Sequence, residues 1–210
     1  MSDPVMEKSS SPDTSNSRKG KSALPAGRQG SLLLYTVVAL CLALFIRFFI
    51  AAPYVVSGSS MEPNFYDWHY LIVDRVSYDF EQPQRGDIIV FNLPEDTSRA
   101  LIKRVIGLPG ETVVLSGSDP TVTIINSAHP DGFTLAEPYI DPSDYGGPTD
   151  MRVTLGADQY FVLGDNRKVS ADSRTWGILP RADIVGRVFL RLYPFNELGI
   201  LPAESRYQNN

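Results

Sequence analysis

A single apolar run near the N-terminus constrains the fold of this chain more than any other feature. Residues 32–52 are apolar apart from Tyr35, Thr36 and Arg47. A helix of about 20 apolar residues matches the thickness of the hydrocarbon core of a bilayer, and an arginine near its end can reach the interface. Pro53 follows, and a proline ends most helices. We therefore expect a transmembrane helix over residues 31–52.

A cleaved signal peptide or a core helix fits this run less well than a membrane span. A cleaved signal peptide would have a shorter apolar region that starts closer to the N-terminus, and a core helix would be apolar on one face only. Four basic residues and no acidic residue lie between positions 18 and 31. Since positive charge stays on the cytoplasmic side of a membrane helix, we expect the N-terminus in the cytoplasm and residues 53–210 outside it.

Composition limits the functions that the rest of the chain can have. Residues 1–30 are rich in small and polar types, so we expect a disordered cytoplasmic head, whereas residues 53–210 have the length of one domain. The net charge of -5 argues against nucleic-acid binding. The chain has one cysteine, Cys41, and two histidines, His69 and His129, which argues against a disulfide framework or a zinc site. We expect no metal and no organic cofactor.

After residue 53 the sequence changes to short apolar runs that are typical of β-strands. Gly and Pro separate these runs, and no long amphipathic helical pattern interrupts them. Residues 116–150 are rich in Gly, Pro, Asp and Ser, which indicates a looped β insertion within about 112–158. The pattern therefore predicts an all-β domain. The predicted strands lie at residues 70–76, 87–92, 101–106, 112–115, 122–125, 159–163 and 184–192.

Ser60 is a candidate nucleophile, but a serine hydroxyl needs an adjacent base to take its proton. His69 is close to it in sequence and lies between two aromatic residues, while His129 lies in the insertion, so neither is an obvious base. Lys103 lies in an apolar strand, and burial there would lower its pKa and make it a base. From spacing alone, a turn serine and a solvent-facing lysine remain the simpler interpretations.

Four segments behind the apolar run form an ordered set of motifs. They are residues 58–63 (GSSMEP), 85–91 (RGDIIVF), 102–111 (IKRVIGLPGE) and 164–167 with 170–177 (GDNR and SADSRTWG). Together they resemble the bacterial type I signal peptidases, membrane-anchored serine endopeptidases that remove signal peptides from exported proteins. The resemblance covers nearly all of residues 32–195. It implies a catalytic core of coiled antiparallel β-sheets, with the small β insertion between the lysine motif and the last motif.

The resemblance assigns roles position by position. Ser60 matches the nucleophile and Lys103 the neutral general base of a Ser–Lys pair that acts through an acyl-enzyme. The backbone N–H of Ser60 would help to stabilise the oxyanion, and Ser170 matches a serine that orients the lysine. Four charged residues match positions that hold the last motif beside the pair, although they would fit equally well as ordinary salt-bridged loop residues. These four are Asp165, Arg167, Asp172 and Arg174.

The resemblance also implies a substrate and a location. Shallow apolar pockets fit small side chains at the first and third positions before the cut, the Ala-x-Ala pattern. The expected partners are preproteins with signal peptides and the lipid bilayer, and no nucleic acid. The expected location is the bacterial inner membrane, in a single pass, with an extracytoplasmic catalytic domain. The residues expected to bind substrate are Tyr54, Val56, Met61, Leu101 and Ile102.

Several positions depart from the family pattern. Gly58 stands where some members have a serine that completes the oxyanion hole, so the second oxyanion donor stays open. Residues 168–169 (KV) replace Asp-Asn, residues 64–65 (NF) replace Thr-Leu, and residues 68–69 (WH) replace small or acidic types. The aromatic residues here form either an apolar rim at the bilayer interface or part of the core. They are Phe65, Tyr66 and Trp68.

Two other functions are compatible with this pattern. A membrane-anchored β-domain without catalysis could bind exported chains, although both Ser60 and Lys103 are present. A self-cleaving Ser–Lys protease of the repressor type shares this kind of β core. Such proteases act in the cytosol, usually with a nucleic-acid-binding module, whereas this chain has an apolar run. A signal peptidase of the endoplasmic reticulum type would have a histidine in place of Lys103.

Overall fold

The computed structural model describes residues 26–45, 51–117, 119–146 and 150–203. Most of the head predicted at residues 1–30, and Arg47, lie outside these ranges. Helix α1 spans Ala26–Phe45, and its residues 31–44 are exposed. In the part of the chain that the structure describes, no helix combines the length and the apolar character needed to cross a bilayer.

The expected end of the helix at residue 52 is wrong. Ala51 and Ala52 lie in strand β1 (Ala51–Val55), where they pair with Asp74 and Val73. Pro53 fits there because β1 is an outer strand of its sheet, where a missing N–H interrupts no second ladder. The sequence does not reveal this boundary, because a short apolar stretch suits both a helix and a strand.

The rest of the described chain is mostly β-sheet, which confirms the predicted class. Each predicted strand overlaps an observed one. Two short helices, α2 (Ser77–Phe80) and α3 (Ser173–Trp176), connect strands. After β1 the strands are β2 (Tyr70–Asp74), β3 (Ile88–Leu93), β4 (Asp96–Gly107), β5 (Thr112–Ser116), β6 (Asp119–Ile125), β7 (Phe133–Thr134), β8 (Met151–Thr154), β9 (Gln159–Leu163), β10 (Leu179–Pro180), β11 (Ile184–Tyr193) and β12 (Gly199–Ile200).

Eight strands form one antiparallel sheet in the order β1-β2-β11-β3-β4-β9-β10, with β12 paired to β11. Strand β11, late in the chain, therefore lies between β2 and β3. Strand β3 is buried on both faces: Ile88 and Val90 belong to one hydrophobic cluster, and Ile89 and Phe91 to another. This explains why β3 is a continuous apolar run without polar alternation.

The second sheet lies within the predicted insertion and has the order β7-β6-β5-β8. Alternate residues of its strands, Val113 and Leu115 on β5 and Val122 and Ile124 on β6, are buried in a third hydrophobic cluster. Thr112, which alternates with these buried residues on β5, has its hydroxyl oxygen 2.9 Å from that of Thr154 on β8. The insertion is thus a sheet with one apolar face.

Candidate active site

Ser60 and Lys103 are in direct contact. Lys103 Nζ donates a hydrogen bond to Ser60 Oγ at 2.7 Å and another to the carbonyl oxygen of Ile102 at 2.9 Å. Ser60 lies in the turn after β1, and Lys103 lies on β4, opposite Ile89 of β3. A hydroxyl at hydrogen-bond distance from a buried amine is the geometry that nucleophile activation requires. We call Ser60 and Lys103 the dyad.

Residues 57–68, which we call the nucleophile segment, are held in place by a hydrogen bond between the residues that flank the segment and by buried side chains within it. Val56 N donates to the carbonyl oxygen of His69 at 2.9 Å, which closes the segment. Met61 and Phe65 are fully buried beneath it. Gly58 has a φ of 98°, which glycine adopts without the strain that a side chain would add. These contacts hold the nucleophile against β4.

Burial sets the protonation of Lys103. The residue is 3% exposed. Burial lowers its pKa from 10.5 to about 8, while the negative charges of Asp172 and Asp165 act in the opposite direction and Arg174 adds to the lowering. A lysine with a pKa near 8 is about one-tenth neutral at pH 7, far more than a lysine with its ordinary pKa, and only the neutral form can act as a general base.

Asp165 connects the nucleophile segment to the strand of Lys103. Arg104, the next residue on β4, donates through Nε and Nη2 to the two carboxylate oxygens of Asp165 at 2.8 and 2.6 Å. Asn64 Nδ2 donates to the same carboxylate at 2.8 Å and to the carbonyl oxygen of Tyr139 at 2.9 Å. The Arg104 guanidinium also lies 3.7 Å from the centre of the Tyr139 ring. The two halves of the dyad are therefore held through one buried carboxylate.

The last motif packs against the backbone of the nucleophile. Asn166 N donates to the carbonyl oxygen of Ser60 at 3.1 Å. A Cβ on Gly164 would collide with that same oxygen and with Ser170 Oγ, so only glycine permits this approach. Ser170 Oγ is buried and makes no hydrogen bond within the described residues. The structure thus places Ser170 beside Gly164, without a hydrogen bond to Lys103.

The other predicted charged residues form ion pairs around the dyad. Arg174 donates through Nε and Nη2 to Asp172 at 2.8 and 2.9 Å, and Asp172 also accepts from Gly164 N at 3.0 Å. Arg167 donates through Nη1 and Nη2 to the two carboxylate oxygens of Glu137, a buried residue of the insertion. Sequence reasoning missed Glu137, because nothing in its local pattern links it to a residue so far along the chain. Among the described residues, no three His, Cys, Asp or Glu side chains are grouped to hold a metal ion.

A small cavity lies beside the dyad. It has a volume of about 110 Å³, and four of the five predicted substrate-binding residues line it: Tyr54, Val56, Leu101 and Ile102. Met61 does not line it, since this side chain is fully buried in the cluster that contains Val56. Of the strands in the cavity wall, β2, β3 and β4 were predicted, whereas β1 was not, and the sequence did not show which strands are neighbours. Lining residues that were not predicted are Val55, Ser57, Leu71, Val90 and Ala100.

The aromatic residues after the nucleophile divide between core and surface. Phe65 is fully buried, whereas Tyr66 is 44% and Trp68 71% exposed. His69 is buried, and its Nδ1 accepts a hydrogen bond from Tyr66 N at 3.4 Å. Burial, and then the positive charge of Arg191, lower the pKa of His69. Phe65 is therefore a core residue, and the basic side chain in contact with Ser60 is Lys103.

The family model and the similar proteins all belong to one family. Residues 29–193 match the family described as signal peptidase, peptidase S26. The chain is 43% identical over 173 residues to "Probable signal peptidase I-1" of Synechocystis sp., covering 79% of this chain and 83% of that one. It is 42% identical over 179 residues to "Signal peptidase I" of Leptolyngbya laminosa, covering 81% and 82%. It is 37% identical over 172 residues to "Signal peptidase I T" of Bacillus subtilis, covering 77% and 84%.

A solved structure is also similar. The crystal structure of a signal peptidase I from Enterococcus faecalis V583 matches with 33% sequence identity and a TM-score of 0.42. The match covers 51% of this chain and 97% of the other.

Proposed function

This chain belongs to the signal peptidase family, peptidase S26, and we propose that it removes N-terminal signal peptides from exported preproteins by cutting after an Ala-x-Ala-like site. Membership of this family makes it a serine endopeptidase. The observation that carries the proposal is the 2.7 Å hydrogen bond between Lys103 Nζ and Ser60 Oγ. The lowered pKa of Lys103 supports it, because only a neutral lysine can accept the serine proton.

In the first half of the reaction, neutral Lys103 takes the proton of Ser60 as Oγ attacks the carbonyl carbon before the scissile bond. The carbonyl oxygen becomes an oxyanion, and the backbone N–H of Ser60 donates to it. As the tetrahedral intermediate collapses, Lys103 gives its proton to the leaving amine. The signal peptide then remains esterified to Ser60, and the mature protein departs with a free N-terminus.

In the second half, the same lysine is neutral again and activates a water molecule. Water attacks the ester carbonyl, and Lys103 returns the proton to Ser60 Oγ as the ester bond breaks. The signal peptide leaves with a new carboxylate. One group thus acts twice as base and twice as acid, so a pKa close to ambient pH suits all four transfers.

The small cavity supports the choice of small residues before the cut. This cavity has a volume of about 110 Å³, and its wall is mostly apolar, with Tyr54, Leu71 and Val90 among the lining residues. Such a space admits methyl-sized side chains and excludes long or charged ones, since an unpaired charge in an apolar wall is unfavourable. Alanine at the position next to Ser60 meets both conditions.

We also propose that the chain is anchored in a bacterial inner membrane through the apolar run that precedes β1, with residues 1–30 in the cytoplasm. Support comes from the composition of residues 32–50, from the exposed apolar side chains of α1, and from the basic residues before it. The exposed Trp68 is a second feature that suits an interface. A preprotein held in the same membrane meets the dyad at a raised effective concentration.

The test is cleavage of a preprotein with an Ala-x-Ala site by the full-length chain in detergent or lipid. We expect the wild type to cut after the second alanine, and Ser60→Ala and Lys103→Ala to lose activity by at least about 1000-fold. The matched control is Ser127→Ala, which makes the same change at an exposed position of the insertion. A folded wild type that cuts no preprotein would favour a binding module, and activity in Lys103→Ala would mean that another group is the base.

A further inference from the structure

Two cavities meet at the dyad, and they differ in size and lining. Both are lined by Ser57, Ser60, Leu101 and Lys103. The first is the small apolar cavity described above, and the second has a volume of about 490 Å³. They share no other lining residue, so they extend from the dyad in different directions.

Cleavage at Ser60 divides the substrate between these two spaces. The residues before the cut stay attached to Ser60 as the acyl group, and the residues after it leave as the amine. Since the small apolar cavity matches the small residues before the cut, the second cavity is left for the residues after it. At about 490 Å³ against about 110 Å³, the second cavity has more than four times the volume of the first, so it has room for more than one side chain.

The second cavity carries charge on one side, at the tip of the β3–β4 hairpin. Asn92 pairs with Ala100 while Leu93 pairs with Asp96, so β4 has extra residues that form a bulge at the tip. Glu95 and Arg99 line the cavity from this tip. Both are exposed, and within the described residues neither forms an ion pair.

Asp96 lies at the same tip but does not line the cavity. Its pKa is lowered by hydrogen bonds from Ser98 Oγ at 2.6 Å and Ser98 N at 3.2 Å and, less strongly, by the positive charge of Arg99. The opposite wall comes from the last motif and is uncharged. Its lining residues are Val169, Ala171, Thr175 and Trp176. Apart from Lys103 itself, the charges that line this cavity are therefore those of Glu95 and Arg99.

We propose that the second cavity binds the first residues of the mature protein, and that Arg99 and Glu95 select their charge. Arg99 favours an acidic side chain after the cut, and Glu95 favours a basic one. The inference rests on the proposed function, because it requires a peptide bond to be cut at Ser60. Exposed charge pairs change affinity by about two- to fivefold, and salt screens them.

The experiment uses the full-length chain in detergent and a set of precursor peptides that are identical up to the cut. Each peptide carries Glu, Gln or Lys at the first or the second position after the cut. The readout is the ratio of kcat/KM for the Glu peptide to that for the Lys peptide, in which differences in the amount of folded enzyme cancel. The variants are Arg99→Glu and Glu95→Lys. The control is Arg152→Glu on β8, which is exposed and changes the net charge by the same amount as Arg99→Glu.

We expect Arg99→Glu to lower the Glu-to-Lys ratio by about fivefold and Glu95→Lys to raise it by a similar factor, with both changes shrinking in about 0.5 M salt. Arg152→Glu should keep the wild-type ratio. If the wild type cuts every peptide but all variants share its ratio, the inference is overturned and the proposed function stands. If the wild type cuts no peptide, the proposed function fails and the inference fails with it.

Discussion

The burial that lowers the pKa of Lys103, as the proposed role of general base requires, also opposes folding. In the folded chain the pKa is lowered from 10.5 to about 8, mainly because an ammonium group in this apolar site is poorly solvated. Below pH 8 the lysine is protonated in both the folded and the unfolded chain, so the folded state then contains a buried charge. At about 1.4 kcal/mol for each unit of pKa, this destabilises the fold by roughly 3 kcal/mol. The active site is therefore a place where function and stability conflict.

The first expected outcome concerns the pH dependence of activity. Because the reactive form of Lys103 is neutral, kcat/KM should rise about tenfold per pH unit at low pH and level off above about 8. A pH–rate profile with a peptide substrate that does not titrate in this range measures the midpoint. His69→Gln is the control, since His69 does not contact the dyad, and the midpoint of that variant should stay at about 8. A profile that is flat from pH 6 to 9 would contradict the assignment of the base.

A second outcome concerns stability. Lys103→Met keeps the unbranched chain up to the ε position and removes the charged amine, so it should abolish cleavage and raise the free energy of unfolding by up to about 3 kcal/mol at pH 7. The gain should be complete below pH 8, decline as pH rises from 8 toward 10.5, and vanish above that, because both states of the wild type are then neutral. Urea titrations at several pH values measure it. A variant that is less stable than the wild type at pH 7 would show that the lysine is not destabilising.

A third outcome concerns Gly164. A methyl group at this position would push against the carbonyl oxygen of Ser60 and the hydroxyl of Ser170. Since a displacement of about 1 Å can lower a rate about 100-fold, Gly164→Ala should lose activity by at least tenfold. Gly199→Ala is the matched control, because its added Cβ would meet one atom only, at 3.8 Å. Unchanged kinetics in Gly164→Ala would mean that the last motif can move away from the nucleophile without effect.

The nucleophile segment and strand β4 are separate elements, and Asn64 is the side chain that bridges them. Its amide donates to Asp165, which is bound in turn by Arg104 next to Lys103. Asn64→Ala should lower kcat about tenfold with little change in KM, because the pocket walls stay in place while the serine loses its fixed distance to the lysine. Steady-state kinetics separate the two constants, and Asn196→Ala, at an exposed position, is the control. A change in KM alone would assign Asn64 to substrate binding.

Local patterns predicted most of the longer strands but not their contacts. Apolar runs with turn residues at both ends located β2, β3 and β9, whereas β1 was missed, and the motif order singled out Ser60 and Lys103, which the structure brings into contact. The bridge from Asn64 to Asp165 and the pairing of Arg167 with Glu137 join residues that are distant in the chain, and they depend on which strands become neighbours. Single-sequence patterns do not contain that information. The same reason explains the helix end, since only pairing with β2 shows that Ala51 and Ala52 are in a strand.

The whole chain is expected to have one orientation in a membrane. In a Cys41→Ser background, a cysteine placed at Ser127, which is exposed in the insertion, should react with a membrane-impermeant maleimide in intact spheroplasts. A cysteine placed at Ser15 should react only after permeabilisation. Mass-tag gel shifts measure both reactions. The opposite labelling pattern would place the dyad in the cytoplasm and would remove exported preproteins as its substrates.

The position of β11 between β2 and β3 also determines when this protease becomes active. The strands next to Ser60 and those that carry Lys103 are made early, yet in the finished sheet they are joined through a strand that begins at Ile184. Arg104 can donate its hydrogen bonds to Asp165 and to the carbonyl oxygen of Ala203 only after these later residues have been synthesised. While the chain is still being synthesised, Ser60 and Lys103 have no common sheet to hold them together. The complete active site can therefore form only after nearly all of the sequence has been synthesised.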